Sequence, residues 1–246
     1  MGLPAWDNAM DNEWTWVLYL VFAVVLIGVF YIVDRAAKQR EKQRREDLSA
    51  EASRLGFEFR PEFQPQLVDR LVHFGLFSRG HSRRAWNVMD GRAGDVKVLL
   101  FDYVYVTGSG KYRQAWMHTM ILFESGRLQL PAFSLRPSSF RDKIANAFGQ
   151  QDIEVEASPE FSAAYVLQGE DEDLVRGFFP ESVVAYCTRH PGLWVEGKGE
   201  QLVYCGGRIV PAEMAGFFQE GLDVLDLWIE KEGVAENLDL IGLDRV

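Results

Sequence analysis

No lysine or arginine occurs before Arg35, and no charge of either sign lies between Trp14 and Val33. The first absence excludes the basic leader of a cleaved secretory signal. The apolar run also ends in Asp34-Arg35 and not in a small-residue cleavage pattern. The second absence leaves a stretch, WTWVLYLVFAVVLIGVFYIV, whose one clearly polar member is Thr15. At about 1.5 Å rise per helical residue it spans about 30 Å, the thickness of a bilayer's hydrocarbon core. Its valines and isoleucines would suit a strand in water, but in lipid only a helix satisfies its own backbone. A core helix of a soluble protein rarely runs so far without a polar face. Trp14, Trp16 and Tyr19 at one end and Tyr31 near the other sit where interfacial aromatic belts form. The sequence therefore predicts a transmembrane helix over 14–33, after a short extracytoplasmic tail, 1–13.

Cysteine is scarce: Cys187 and Cys205 are the two in the chain. That excludes a disulfide scaffold, and in a cytoplasmic domain both are expected reduced. Catalytic signatures are missing as well. Four histidines occur (His73, His81, His118 and His190), but no G-x-S-x-G, H-E-x-x-H or Cys–His pattern places any of them. No catalytic residue, metal or cofactor is expected, and the reading leans away from an enzyme.

What is present sets the orientation. Arg35, Lys38, Arg40, Lys42, Arg44 and Arg45 follow the apolar run against a single acid, Glu41. Positive flanks stay cytoplasmic. The acidic N-terminus is thus expected outside a plasma membrane and residues 35–246 inside. The segment through Arg45 takes 6 of the 26 basic and 5 of the 36 acidic residues, leaving 20 and 31, a charge near −11. A domain that acidic is expected to be repelled by nucleic acid and by anionic headgroups. The basic run and the apolar helix are the expected lipid contacts. Hydrophobic residues at 48% and aromatics at 13% suffice for a packed core, which excludes a disordered tail.

Residues 34–55 read as a charged helical stalk stopped at Gly56. The domain over 56–233 reads as α+β, largely antiparallel. A short helix covers 65–74, and SRGHSRR (78–84) is expected as a loop. Strands follow at Ala85–Met89, Val96–Thr107 and Tyr112–Phe123, the last two forming a hairpin around Gly108-Ser109-Gly110-Lys111. Leu99, Phe101, Tyr103 and Tyr105 would face one side of the sheet, and Val98, Leu100, Val104 and Val106 the other. With both faces apolar, this hairpin is expected at the sheet's centre.

A strand near Leu128–Leu130 comes next, then a helix capped at Ser139 and running to Phe148. Strands at Asp152–Val155 and Ala163–Leu167 precede helices over Glu170–Phe179 and from Pro180 to Arg189. A second hairpin, Leu193–Val195 with Gln201–Cys205, is expected to turn at Glu196-Gly197-Lys198-Gly199. The clearest soluble helix starts at Pro211, with Met214, Phe217, Phe218, Leu222, Leu225, Trp228 and Ile229 on one stripe. The tail 234–246 is expected to be loosely held. The order of elements allows two lobes dividing near Ser158.

Gly108-Ser109-Gly110-Lys111 resembles a phosphate loop, but Tyr105 stands where that motif needs its first glycine and Tyr112 where it needs Ser or Thr. A hairpin turn is the better reading. Cys187-x-x-His190 with Cys205 lacks a fourth zinc ligand. Glu170 to Asp173 lacks calcium-loop spacing and suits a helix start. His118 and Asp102, on opposite arms of the first hairpin, could face each other. The best binding candidate is Arg79, His81, Arg83 and Arg84, four cationic or titratable side chains within six residues of an acidic domain. Converging guanidinium groups would bind a phosphate, an anionic lipid headgroup or an acidic partner segment. Pairing with the domain's own acids is the competing reading.

The stretch from Gly75 through Thr107, LPAFSLRP (130–137) and FSAAYVLQG (161–169) together resemble a family of uncharacterised bacterial single-pass membrane-anchored proteins. The resemblance covers most of residues 55–230. It implies a bacterial inner or plasma membrane and carries no site residues. The expected function is a membrane-tethered cytoplasmic binding or scaffold module with a protein partner. The alternatives are a membrane-associated hydrolase or transferase, and a sensor of anionic ligand or lipid acting through the Arg79–Arg84 loop.

Overall fold

The computed structural model describes residues 15–139, 152–154 and 158–229. They fall into two units, one ending at Glu46 and one beginning at Asp47. Helix α1, Thr15–Arg54, begins in the first and ends in the second. Its apolar window has a mean hydropathy of 2.7 and none of it is buried, so by length and composition it can cross a membrane. Beyond Val33 the helix continues through polar sequence on i,i+4 ion pairs: Lys38 with Asp34, Lys42 with Glu46, and Arg45 with Glu41. Each adds about 0.2–0.5 kcal/mol of helix stability. Leu48 and Ala52 turn the last part of the helix into the core of the second unit. The helix stops as expected at Gly56, whose φ of 71° lets Phe57 N donate to Ala52 O and Gly56 N to Ser53 O.

The second unit is built on one eight-stranded sheet. Its strands are β1 (Glu58–Arg60), β2 (His81–Ala93), β3 (Val96–Thr107), β4 (Gln114–Glu124), β5 (Leu130–Pro137), β6 (Tyr165–Gly169), β7 (Val195–Gly199) and β8 (Gln201–Gly206). Their spatial order is β1-β2-β3-β4-β8-β7-β5-β6, with every pair antiparallel. Strands from both sides of Ser158 belong to this sheet, since β5 pairs with both β6 and β7.

Both faces are covered, and the alternation of β3 shows how. Val96, Val98 and Leu100 join a core with α4 (Pro159–Ala164), α5 (Glu172–Gly177), α6 (Glu181–Arg189), α7 (Met214–Leu225) and the end of α1. Leu99, Phe101, Tyr103 and Tyr105 join a second core under α2 (Pro65–Arg70) and α3 (Gly75–Ser78). Strand β3 is therefore interior, flanked by β2 and β4. The expected stripe on α7 is buried through Leu225, and Ile229 continues it past the helix end.

Several expectations change. Of the segment 78–84 only Arg79 and Gly80 are loop: Ser78 ends α3, and His81 to Arg84 begin β2, where His81 pairs with Val106 and Arg84 with Val104 because β3 runs long enough to give them partners. The second hairpin reverses at Gly199-Glu200, with Lys198 opposite Gln201. Gly197 lies inside β7 because a Cβ there would come within 2.4 Å of Phe133 Cε1. That glycine serves close packing and not a turn. Residues 163–164 finish α4, capped by Ser158 Oγ accepting from Phe161 N, and β6 starts at Tyr165. Residues 152–154 form no strand, although Ile153 N donates to Leu167 O. The helix from Ser139 to Phe148 and the tail 234–246 lie outside the described residues, Ser139 apart.

Candidate functional site

The four candidate residues sit at one end of the sheet, beside the β3–β4 turn, and each has its own local contact. Gly80 and Ser82, at φ 59° and 53°, bend the chain into β2. A Cβ on Gly80 would meet Val106 O at 2.3 Å. Arg79 is half-buried, its guanidinium 5.5 Å from the centre of the Tyr105 ring, and burial lowers its pKa. Arg83 Nη1 donates to Phe77 O at 2.6 Å, closing the end of α3. Arg84 lies over Phe63, 5.1 Å from its centroid. His81 Nε2 is 3.0 Å from Gly108 O, with Nδ1 3.0 Å from Ser82 Oγ, which ties β2 to the neighbouring turn. Each side chain engages a different neighbour: Tyr105, Phe77, Phe63 and Gly108.

His118 and Asp102 do not face each other. Tyr103 is opposite His118 and Asp102 is opposite Thr119, so the two candidates are one register step apart and point to opposite faces. Asp102 is buried and accepts from Asn87 Nδ2 at 2.9 Å and Thr119 Oγ1 at 3.3 Å. Thr119 Oγ1 in turn accepts from Ile209 N. Asn87 sits at φ 52°, at the irregular step of β2 between Trp86 and Met89. This network fastens β2, β3, β4 and the segment after β8 together.

On the other face His118 stacks on Tyr105 at 5.8 Å and 4°, meets Trp194 edge-on, and lies 3.4 Å from Cys205 Sγ. Burial lowers its pKa. Burial also pushes the Cys205 and Cys187 thiols up, Cys187 to about 12, which keeps both from acting as nucleophiles at neutral pH. Cys187 belongs to the core under α6 and Cys205 to the opposite one, so these two cannot share a metal. Asp171 accepts from Leu174 N and caps α5, and Glu172 pairs with Arg176, the helix-start role read from the acidic run.

Sequence reasoning missed Glu196. Placed by β7 in the core under α3, it is 2% exposed and accepts from Leu76 N at 3.2 Å and Trp194 Nε1 at 3.2 Å. Burial raises its pKa, against the bonds from Trp194 and Leu76 and the positive Arg136. Arg136, 2% exposed, donates to Gln168 Oε1, and Gln168 Nε2 donates to Asp152 Oδ1. The one available signal was alternation, since Glu196 stands two residues after Trp194 on the same face.

Two clefts accompany these groups. One, of about 490 Å³, lies between α6 and α7 and is lined by Tyr186, His190, Tyr204, Glu220 and Asp223. Another, of about 230 Å³, lies between α2 and the strands β2 and β3. Its cations are paired, Arg60 with Asp90 and both Arg70 and Lys97 with Glu124.

No protein-family model matches the sequence, and no curated protein does. Among solved structures, the chain is similar to the mycobacterial trehalose monomycolate transport factor A, TtfA, with a TM-score of 0.52 and 14% identity, over 76% of this chain and 93% of that one. The likeness is one of fold.

Proposed function

We propose that the chain is a single-pass protein of a bacterial inner membrane, N-terminus out, whose cytoplasmic α+β domain binds or scaffolds a protein partner. The observation that carries the reading is α1. A fully exposed apolar window has no place in water, and the uncharged stretch of α1 up to Val33 matches a bilayer in length. The basic residues after Val33 set the orientation.

A binding role fits better than catalysis because the candidate groups point apart. His118 and Asp102 face opposite sides of the sheet, and Cys187 and Cys205 lie in the two cores on opposite sides of it. The fold shared with a transport factor accords with a supporting role; the trehalose monomycolate in that protein's name is said of that protein. The test is crosslinking in native membranes followed by purification of the full chain, beside a variant carrying Arg79→Ala, Arg83→Ala and Arg84→Ala. A dominant partner held by the wild type supports the module, and its loss in the variant places the surface. No specific partner for either form would defeat the reading.

A further inference from the structure

Beyond the arginines of β2, the same end of the sheet gathers two more segments. The His81 ring contacts Gly108 O, which sets the start of β2 against the β3–β4 turn. Thr119 N donates to Gly207 O and Ile209 N to Thr119 Oγ1, which sets residues 207–210 beside β4. Residues 79–89, 103–123 and 204–212 contain no Asp or Glu, although the chain beyond Arg45 has 31 acids. They carry Arg79, Arg83, Arg84, Lys111, Arg113 and Arg208.

The hairpin also projects past its neighbour, because β4 pairs with β8 from Thr119 onward while its first residues, Gln114 to Met117, pair with β3. On this projection and beside it, apolar side chains stand in solvent: Tyr112 is 76% exposed, Val210 50% and Met117 46%. Lys111 Nζ lies 5.1 Å from the centre of the Tyr112 ring.

We infer that this end of the sheet is a docking surface for an anionic bilayer leaflet, with the β3–β4 tip entering the headgroup layer. Tyrosine and small apolar groups partition into that layer while lysine and arginine hold its phosphates. An acidic protein segment would satisfy the cations but would leave the projecting tip's apolar groups unexplained. The domain's net negative charge does not oppose docking, since charges more than about 8 Å from the surface are screened at physiological salt. The inference rests on the membrane-tethered reading: anchoring holds the surface at high effective concentration near lipid, so weak contacts suffice.

The test uses the full chain in lipid nanodiscs with Ser109→Cys carrying an environment-sensitive dye. Ser109 is exposed, and Cys187 and Cys205, 0% and 6% exposed, leave it as the site that labels. The expected result is a blue-shifted dye, quenched by headgroup-labelled lipid, in discs containing phosphatidylglycerol, and a water-exposed dye in pure phosphatidylcholine or at high salt. Each cation brought to an anionic leaflet contributes about fivefold to docking, so Lys111→Gln with Arg113→Gln should lower it about 25-fold. A dye equally water-exposed in both lipids at low salt, in chain that co-elutes with the discs, overturns the inference and leaves the anchor standing. Chain that fails to enter discs at all defeats the anchor, and the inference with it.

Discussion

Glu196 tests the packing account most severely. Replacing it with alanine leaves Leu76 N and the Trp194 indole N–H buried without the acceptor they now share. Each unsatisfied donor costs about 1–3 kcal/mol, so Glu196→Ala should cost about 2–6 kcal/mol, a large part of a domain's 5–15 kcal/mol. Glu196→Gln keeps the shape and one acceptor oxygen, separating charge from hydrogen bonding. Burial raises the folded carboxyl's pKa above the unfolded value of about 4.3. The folded state therefore holds the proton more tightly. The stability this gives is full below the unfolded value and is lost as pH rises through the folded one. The glutamine variant has no such proton, so its stability relative to wild type should rise with pH across that window. The assay is urea unfolding of the full chain in detergent, followed by tryptophan fluorescence from about pH 4 to 8. A pH-independent difference between the glutamine variant and wild type, or an alanine variant within about 0.5 kcal/mol of wild type, would refute the reasoning.

His118 behaves with the opposite sign. Burial depresses its pKa, so its contribution is present above the ordinary value of about 6.5 and is lost as pH falls through the folded value; His118→Phe should flatten that acid loss in melting curves. Gly197→Ala should cost about 1–3 kcal/mol through the contact with Phe133, and Phe133→Leu in the same chain should recover part of it in a double-mutant cycle. Asp102→Ala should cost about 2–4 kcal/mol by freeing Asn87 and Thr119, with hydrogen exchange rising in β2 and at Ile209. Phe77→Ala, at a fully buried ring packed on Phe101 and Tyr103, should cost about 3–5 kcal/mol by chemical denaturation.

The features legible in the sequence are those that neighbouring residues dictate. The β3–β4 hairpin shows because Gly108-Ser109-Gly110-Lys111 interrupts two apolar β-forming runs, and its central place follows from apolar residues on both faces of β3. Gly56 and the α7 stripe read correctly for the same local reason. Features set by distant partners did not show. His81 to Arg84 look like a loop until Val104 and Val106 supply a pairing edge. Gly197 and Gly199 imitate a turn around Lys198, whereas the first makes room for Phe133 and only the second, at φ 58°, bends the chain. That mistake hid Glu196, whose partner Leu76 lies 120 residues away. The four candidate residues lie near one another in space because they are near in sequence. Their separate contacts with Tyr105, Phe77, Phe63 and Gly108 depend on elements that local sequence does not reveal.

The most direct test of the central claim is membrane topology. A reporter active only in the cytoplasm, fused after Val246 in a bacterial host, is compared with one active only after export at the same junction. The account predicts that the cytoplasmic reporter is active in cells where the chain resists alkaline extraction from membranes, and that the exported one is silent. Activity of the exported reporter, or release of the chain by alkaline extraction, would contradict it.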